Sequence, residues 1–280
     1  MVGVDDGGRI RMIGGGDVEV GGTRFYCGFP IPKDKQHTLA IMKEPEMLAP
    51  YEALCRELGP RSVVELGIRQ GGSTAFLYEV ARPDKLVAVD LQADSAPNLD
   101  DFIRRRALGE VVRTFYGVDQ ADRATLSSIV EDEFGGPLDL VVDDASHLYE
   151  ATVVSFETLF PRLRPGGRYV IEDWTTPIRG LDRIAAAMVD PSPAMVEALA
   201  RKMREPRPTG PATVPLAKLA LELALLRASI SGAVASVHIE QDWIVVVRGD
   251  EPLGVDFRLG EAFIDHFDLV GRRRVFTWSG

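Results

Sequence analysis

Ser62 to Asp90 reads SVVELGIRQGGSTAFLYEVARPDKLVAVD: two short Val-rich runs separated by a stretch whose apolar residues recur at helical spacing. A strand, a helix and a second strand in so short a span form a crossover, the unit from which parallel sheets are built. Neither run alternates apolar with polar residues as a strand facing water does, so both sheet faces are expected to be covered. The same alternation continues downstream, with strands expected at Ser62 to Gly67, Lys85 to Asp90, Val111 to Gly117, Leu138 to Asp144 and Gly167 to Asp173. Helices are expected at Ser73 to Ala81, Leu99 to Leu108, Ala121 to Phe134 and Tyr149 to Leu163. Five such units in succession predict an α/β fold with an open, doubly wound, mostly parallel sheet. Sheets of this kind bind ligands beyond the carboxyl ends of their strands, and here those ends are acidic.

Outside this core the text changes. Met1 to Gly22 is glycine-rich and weakly patterned, and Thr23 to Pro32 reads as a short strand running into a proline-stiffened loop, so a flexible N-terminal arm is expected. Pro45 to Leu58 has apolar residues at helical spacing and stops at Gly59-Pro60, giving a helix that leads into the first core strand. The expected division is therefore an arm with its lead-in helix over 1–60 and one domain over 61–280. Within that domain a lid-like insertion spans 175–232, broken by prolines from Thr175 to Pro215 and ending in the apolar helix Pro215 to Ile230. That helix reads as a packing helix or as a dimer contact. Val234 to Ile239 and Trp243 to Arg248, joined by a polar turn, predict a C-terminal β-hairpin.

Composition narrows the function classes. The 280 residues carry 32 Lys plus Arg against 42 Asp plus Glu, a formal charge of −10 that disfavours a nucleic-acid backbone binder. Hydrophobic residues at 45% support a large core, and no window approaches the roughly 18 uninterrupted apolar residues of a membrane span. A cytoplasmic protein is expected. Cys27 and Cys55 show neither CxxC nor zinc spacing and read as reduced packing thiols. His37, His238 and His266 have no chemical company in the sequence, and Arg272 to Arg274 reads as solvated surface.

The first core strand ends in Val63-Val64-Glu65-Leu66-Gly67 and turns through Gly71 and Gly72 to Ser73, which is placed to cap the following helix. The spacing is not GxGxxG, and no GK[ST] follows, which argues against a dinucleotide site and a P-loop. Glu65, Gly67, Gly71 and Ser73 form an ExGxxxGxS pattern that resembles motif I of class I S-adenosylmethionine-dependent methyltransferases. The resemblance implies that the acid faces the methionine end of the cofactor. The second strand ends in Asp90, whose two acceptor oxygens suit a ribose diol. Asp119 and Gln120, after the third strand, offer a carboxylate beside an amide for an adenine edge.

Leu138 to Trp174 reads LDLVVDDASHLYEATVVSFETLFPRLRPGGRYVIEDW. Its DDxSH after the fourth strand and IED after the fifth resemble the metal-dependent sugar O-methyltransferases of the macrocin and mycinamicin type, relatives of cephalosporin-hydroxylase-like proteins with a Rossmann-like fold. The resemblance covers roughly Ser62 to Trp174 and the C-terminal hairpin. It implies that Asp144, Glu172 and Asp173 hold a magnesium ion and that His147 is the catalytic base. The residues support this on their own. Three carboxylates from the ends of two neighbouring strands can converge on one point, where they would repel one another without a cation, and oxygen ligands suit Mg²⁺ better than zinc. Asp143, by alternation, points away from Asp144.

The expected reaction is Mg²⁺-dependent transfer of a methyl group from S-adenosylmethionine to a hydroxyl of a sugar or glycosylated natural product, without nucleic-acid or membrane partners and with a dimer as the expected oligomer. A catechol-type O-methyltransferase and a non-catalytic S-adenosylmethionine-binding accessory protein are the alternatives. An aromatic-lined acceptor pocket would favour the first, and absence of turnover with every hydroxylated acceptor the second.

Overall fold

A computed structural model describes residues 9–175, apart from 29 and 44, and 214–262. The seven strands of the main sheet are β5 (Ser62–Leu66), β6 (Lys85–Asp90), β7 (Val112–Tyr116), β8 (Leu138–Asp143), β9 (Leu163–Glu172), β10 (Val234–Ile239) and β11 (Trp243–Arg248). They lie in the order β10-β11-β9-β8-β5-β6-β7. The five strands from β9 to β7 are parallel, and the hairpin β10–β11 adds to β9 antiparallel. The chain winds outward from β5 through β6 to β7, then returns to place β8 on the other side of β5. The crevice between the carboxyl ends of β5 and β8 is therefore the switch point, where such sheets bind ligands.

Alternation along each strand sorts its side chains onto two cores. Val63, Leu86, Ala88, Leu140 and Val142 face one side, where α1 (Leu48–Leu58), α2 (Gly72–Ala81) and α3 (Pro97–Arg105) pack. Val64, Leu66, Val87, Val89 and Val141 face the other, against α4 (Arg123–Glu133), α5 (Tyr149–Leu159) and α6 (Ala217–Ser229). Both faces are covered, which is why the strands read as near-continuous apolar runs.

Element ends shift from the sequence expectation for local reasons. Asp122 accepts from the Thr125 backbone N–H at 3.1 Å and caps α4 two residues later than expected. Pro161 lacks an N–H, and α5 gives way to a 3₁₀ turn over Phe160–Arg162. β9 begins at Leu163, ahead of the expected Gly167, because the ladder with β8 accommodates Pro165 and Gly166 through a register shift. Ser73 does not cap α2: Gly71, at φ +81°, holds that place without a side-chain bond.

The largest difference lies at the N-terminus. In place of an arm, the chain forms a second sheet of β1 (Ile10–Gly14), β2 (Asp17–Val20), β3 (Thr23–Cys27) and β4 (Leu39–Ile41), in that order. The glycines that make the sequence look unpatterned are its turns; Gly21 and Gly22, at φ +57° and +83°, link β2 to β3. Val18, Val20, Phe25, Cys27 and Ile41 are buried in the same core as α1 and α2. The fully buried Glu79 of α2 clasps the sheet, taking Thr23, Arg82 and Arg106 as donors.

Of the expected insertion, α6 is seen: Leu219, Ala220, Leu223 and Leu226 pack on the core, while Leu221 and Leu225 are exposed. Residues 176–213, with His266 and Arg272 to Arg274, lie outside the described residues. Among the described residues no helix is long and apolar enough to cross a membrane.

Candidate active site

The crevice at the switch point opens into a cavity of about 600 Å³, walled by the loops that follow β5, β6, β7 and β8, by Asp173 after β9, and by Ala40 of β4 with Met42 and Lys43 just after it. A second cavity of about 660 Å³ lies on a sheet face between α1 and β11. It reaches the β10–β11 turn beside Glu172 but takes in none of Asp90, Asp144, His147 or Asp173, and its Arg168 is paired with Glu57.

Gly67 marks the crevice floor. A Cβ built there would lie 2.2 Å from the Asp144 carbonyl oxygen, and φ is +101°. The close approach that requires glycine is thus made by the chain's own β8 loop, pinned by a 2.9 Å bond from Asp144 N–H to the Leu66 carbonyl. Gly71 turns the chain into α2 against Leu99 and does not line the cavity. Ser73 does line it.

Glu65 is fully buried and sits one layer below the cavity wall. Burial pushes its carboxyl up to about 8, opposed by bonds from Thr74 and Ser73. Glu65 Oε1 and Gln70 Oε1 are buried and have no hydrogen-bond partner among the described residues.

Asp90, at the end of β6, faces the cavity with much of its acceptor capacity used. One oxygen accepts from the backbone N–H groups of Ile68 and Arg69, both at 2.7 Å, and the other from Gln92 at 2.8 Å. A hydroxyl has room only at the second oxygen. Asp119 is exposed, with one oxygen accepting from Ala121 N–H. Gln120 lines the cavity, but its amide is committed to the protein. Its side chain is buried, donates to Asp143 at 3.1 Å and accepts from Ser146 N–H at 2.9 Å, which fixes the loop carrying His147. Nothing in the sequence distinguishes an amide turned inward in this way from one facing a ligand.

Asp143 is buried among Ser155, Tyr169 and Gln120, opposite in direction to Asp144, as alternation predicts. Burial raises its pKa, against those three hydrogen bonds.

Asp144, His147 and Asp173 converge. His147 Nε2 lies 3.9 Å from Asp144 and 3.8 Å from Asp173, and ligand atoms of the three lie within 4.8 Å of one another. His147 and Asp173 hold left-handed backbones, φ +53° and +52°, and so does Arg69 across the cavity at +49°. Three of the five non-glycine residues in this conformation among those described thus lie on one cavity, where strain of about 1–3 kcal/mol each is held by the surrounding structure.

Glu172 stands apart from this group. Tyr51 donates to one of its oxygens, and Lys43 Nζ sits 2.6 Å from the other and 2.5 Å from Asp144. A protein cation reaches these acids from the loop after β4. Lys43 lies 101 positions from Asp144 in the chain, too far apart for local reading to associate them. Burial alone would lower the Lys43 pKa, but Asp144 and Glu172 outweigh it and hold the ammonium charged. One positive charge serves two carboxylates, so Glu172, the deeper, is pushed up by burial and by Asp144. Burial, then Asp144, also raises Asp173, against His147 and Lys43. The carboxylate oxygens gathered from two adjacent strand ends fit a hard divalent cation, with the His147 imidazole beside them. His37 and His238 are exposed and remote from the cavity, as expected.

Residues 64–174 match the family described as a methyltransferase domain. Among curated relatives, the chain is 50% identical over 58 residues to the 8-demethyl-8-alpha-L-rhamnosyl tetracenomycin-C 2'-O-methyltransferase of Streptomyces olivaceus, covering 21% of this chain and 15% of the relative. It is 49% identical over 65 residues to the mycinamicin VI 2''-O-methyltransferase of Micromonospora griseorubida, covering 23% and 16%. The matched stretches therefore span less than a quarter of those relatives' length. The SAH-bound methyltransferase PaMTH1 of Podospora anserina shares the fold at TM-score 0.50, with 16% identity over 78% of this chain and 83% of that one. Residues 64–174 thus match a methyltransferase-domain family, and stretches of the chain are similar to sugar O-methyltransferases of the macrocin and mycinamicin type.

Proposed function

We propose that the chain transfers a methyl group from S-adenosylmethionine to a hydroxyl of a sugar or glycosylated natural product, with Mg²⁺ held by Asp144, Glu172 and Asp173. The observation that carries the reading is the convergence of Asp144, Asp173 and His147 at the cavity that also presents Asp90. The relatives' names support the acceptor class.

In this reading the donor lies along the crevice. Asp90 takes a ribose hydroxyl at the oxygen bonded only by Gln92. The unpartnered Gln70 oxygen at the cavity wall offers an acceptor for the amino group at the methionine end, beside Gly67 and Ser73, and the Glu65 carboxyl lies one layer behind them. Asp119, partly used in its own turn, remains for the adenine end. A divalent ion supplies polarisation of acceptor oxygens, which lowers the cost of removing the hydroxyl proton. His147 Nε2 accepts that proton, and the nearby Asp144 and Asp173 stabilise the resulting imidazolium. The acceptor oxygen forms the new bond to the methyl carbon as the carbon–sulfur bond breaks and its electron pair stays on sulfur. Charge balances because a sulfonium becomes a neutral thioether while the imidazole becomes cationic.

The test is an acceptor screen with S-adenosylmethionine and Mg²⁺ over hexosides, macrolide glycosides and catechols, read by the mass gain of one methyl group. Gain on a glycoside supports the reading, and gain on catechols alone moves it to the catechol-type class. No gain on any acceptor, with no S-adenosylmethionine binding by calorimetry, overturns it.

A further inference from the structure

We propose that Lys43 is a resident counter-cation that competes with the divalent ion for Asp144 and Glu172, so that ion entry releases the lysine side chain into the cavity. This rests on the metal reading above. Lys43 Nζ lies 2.5 Å from Asp144 Oδ2 and 2.6 Å from Glu172 Oε2, bridging the ends of β8 and β9. A magnesium ion would need carboxylate oxygens at ~2.0–2.1 Å. An ion held by Asp144 and Glu172 would sit beside the ammonium on the same two carboxylates, where like charges repel strongly in a site so poorly screened. The Lys43 and Glu172 side chains are only 8% and 2% exposed.

The backbone around Lys43 is anchored. Its carbonyl accepts from Cys27 Sγ at 2.9 Å, and the Ile41 carbonyl accepts from Gly28 N–H at 3.0 Å. The side chain is the part able to move, and the cavity it lines gives it room. Tyr51 keeps its bond to the other Glu172 oxygen, so Glu172 stays in place while its cation changes. Lys43 is accordingly a positioning residue, which keeps the acids gathered before the ion arrives and sets how tightly the ion is held.

The test compares wild type with Lys43→Met by calorimetric titration with Mg²⁺ and Mn²⁺ and by thermal melting in EDTA and in excess Mg²⁺. Lys43→Met should bind Mg²⁺ at least tenfold more tightly. Its melting temperature should fall below wild type in EDTA, with the gap closing in Mg²⁺, whereas wild type changes less. Should the Met variant fail to fold, Lys43→Gln, which keeps a donor and loses the charge, carries the same measurements. Equal or weaker ion affinity in a folded variant overturns the competition. If neither wild type nor variant binds either ion, the metal reading and the competition fail together. The counter-cation role is then read alone from a double-mutant cycle of Lys43→Met with Glu172→Gln in EDTA. Non-additive stabilities retain that role, and additive ones overturn it.

Discussion

Replacing Gly67 by alanine tests whether the active-site loops are held by backbone contact at the switch point. The added Cβ would lie 2.2 Å from the Asp144 carbonyl oxygen, 2.8 Å from its carbonyl carbon and 3.1 Å from Ala145 Cα, all backbone atoms with no flexible end to swing aside. Ordinary contact therefore demands a displacement of about 1 Å. A left-handed alanine costs about 1–2 kcal/mol, and forcing atoms into a packed region a further ~1–3 kcal/mol. The expected loss in urea unfolding is about 2–5 kcal/mol. A shift of this size at Asp144 should also lower methyl transfer by ~10²-fold, because reacting groups tolerate little misplacement. Gly109→Ala, whose Cβ meets nothing within 4 Å, is the control and should fall within about 0.5 kcal/mol of wild type. If Gly67→Ala were as stable as that control, with turnover unchanged, the loop would not depend on this contact.

Other expectations concern single groups. Glu65, held up to about 8, keeps a proton that the unfolded chain releases near the ordinary carboxyl value, so its contribution is full below that value and is lost as pH rises toward 8. Glu65→Gln should flatten that part of the stability–pH curve, whose slope from this group is at most about 1.4 kcal/mol per pH unit; denaturant titrations from pH 5 to 9 with an unchanged slope would contradict it. His147→Ala should lower kcat by ~10²–10⁴ with cofactor binding retained, measured by single-turnover assays and calorimetry. His147→Gly should lose the same activity yet be about 1 kcal/mol more stable than His147→Ala, since it removes the left-handed strain; equal melting curves would deny that strain. Tyr51→Phe should cost about 1–3 kcal/mol in urea unfolding by leaving a buried Glu172 oxygen without its donor, and a loss under 0.3 kcal/mol would show that water replaces it.

The main sheet was legible because its strands are buried on both faces and its helices carry 3.6-residue periodicity, signals that are local in sequence. The convergence of Asp144 with Asp173 was legible for a related reason: each follows a parallel strand, and neighbouring strands end at one edge. Three things were hidden. The N-terminal sheet was concealed by its own turn glycines, which dilute the alternation in DVEV and TRFYC. Gln120 and Glu65 lie at the expected strand ends but turn inward, a choice made by tertiary partners such as Asp143 and Thr74. Lys43 was hidden by distance, since no sequence period links residue 43 to residues 144 and 172.

The small sheet that supplies Ala40 to the cavity, with Met42 and Lys43 just after it, lies outside the residues that carry the methyltransferase signature. It is attached as a module. It rests on α2 where Gly72 lets the Ala40 carbonyl approach, a Cβ there falling 2.1 Å away, and it is fastened by the Glu79 clasp. Asp90, Asp144 and His147 lie within residues 64–174, while Lys43 and part of the cavity wall lie outside them. Changes at Ala40, Met42 and Lys43 therefore alter the cavity wall and the balancing charge without touching the strand ends that carry Asp90, Asp144 and His147.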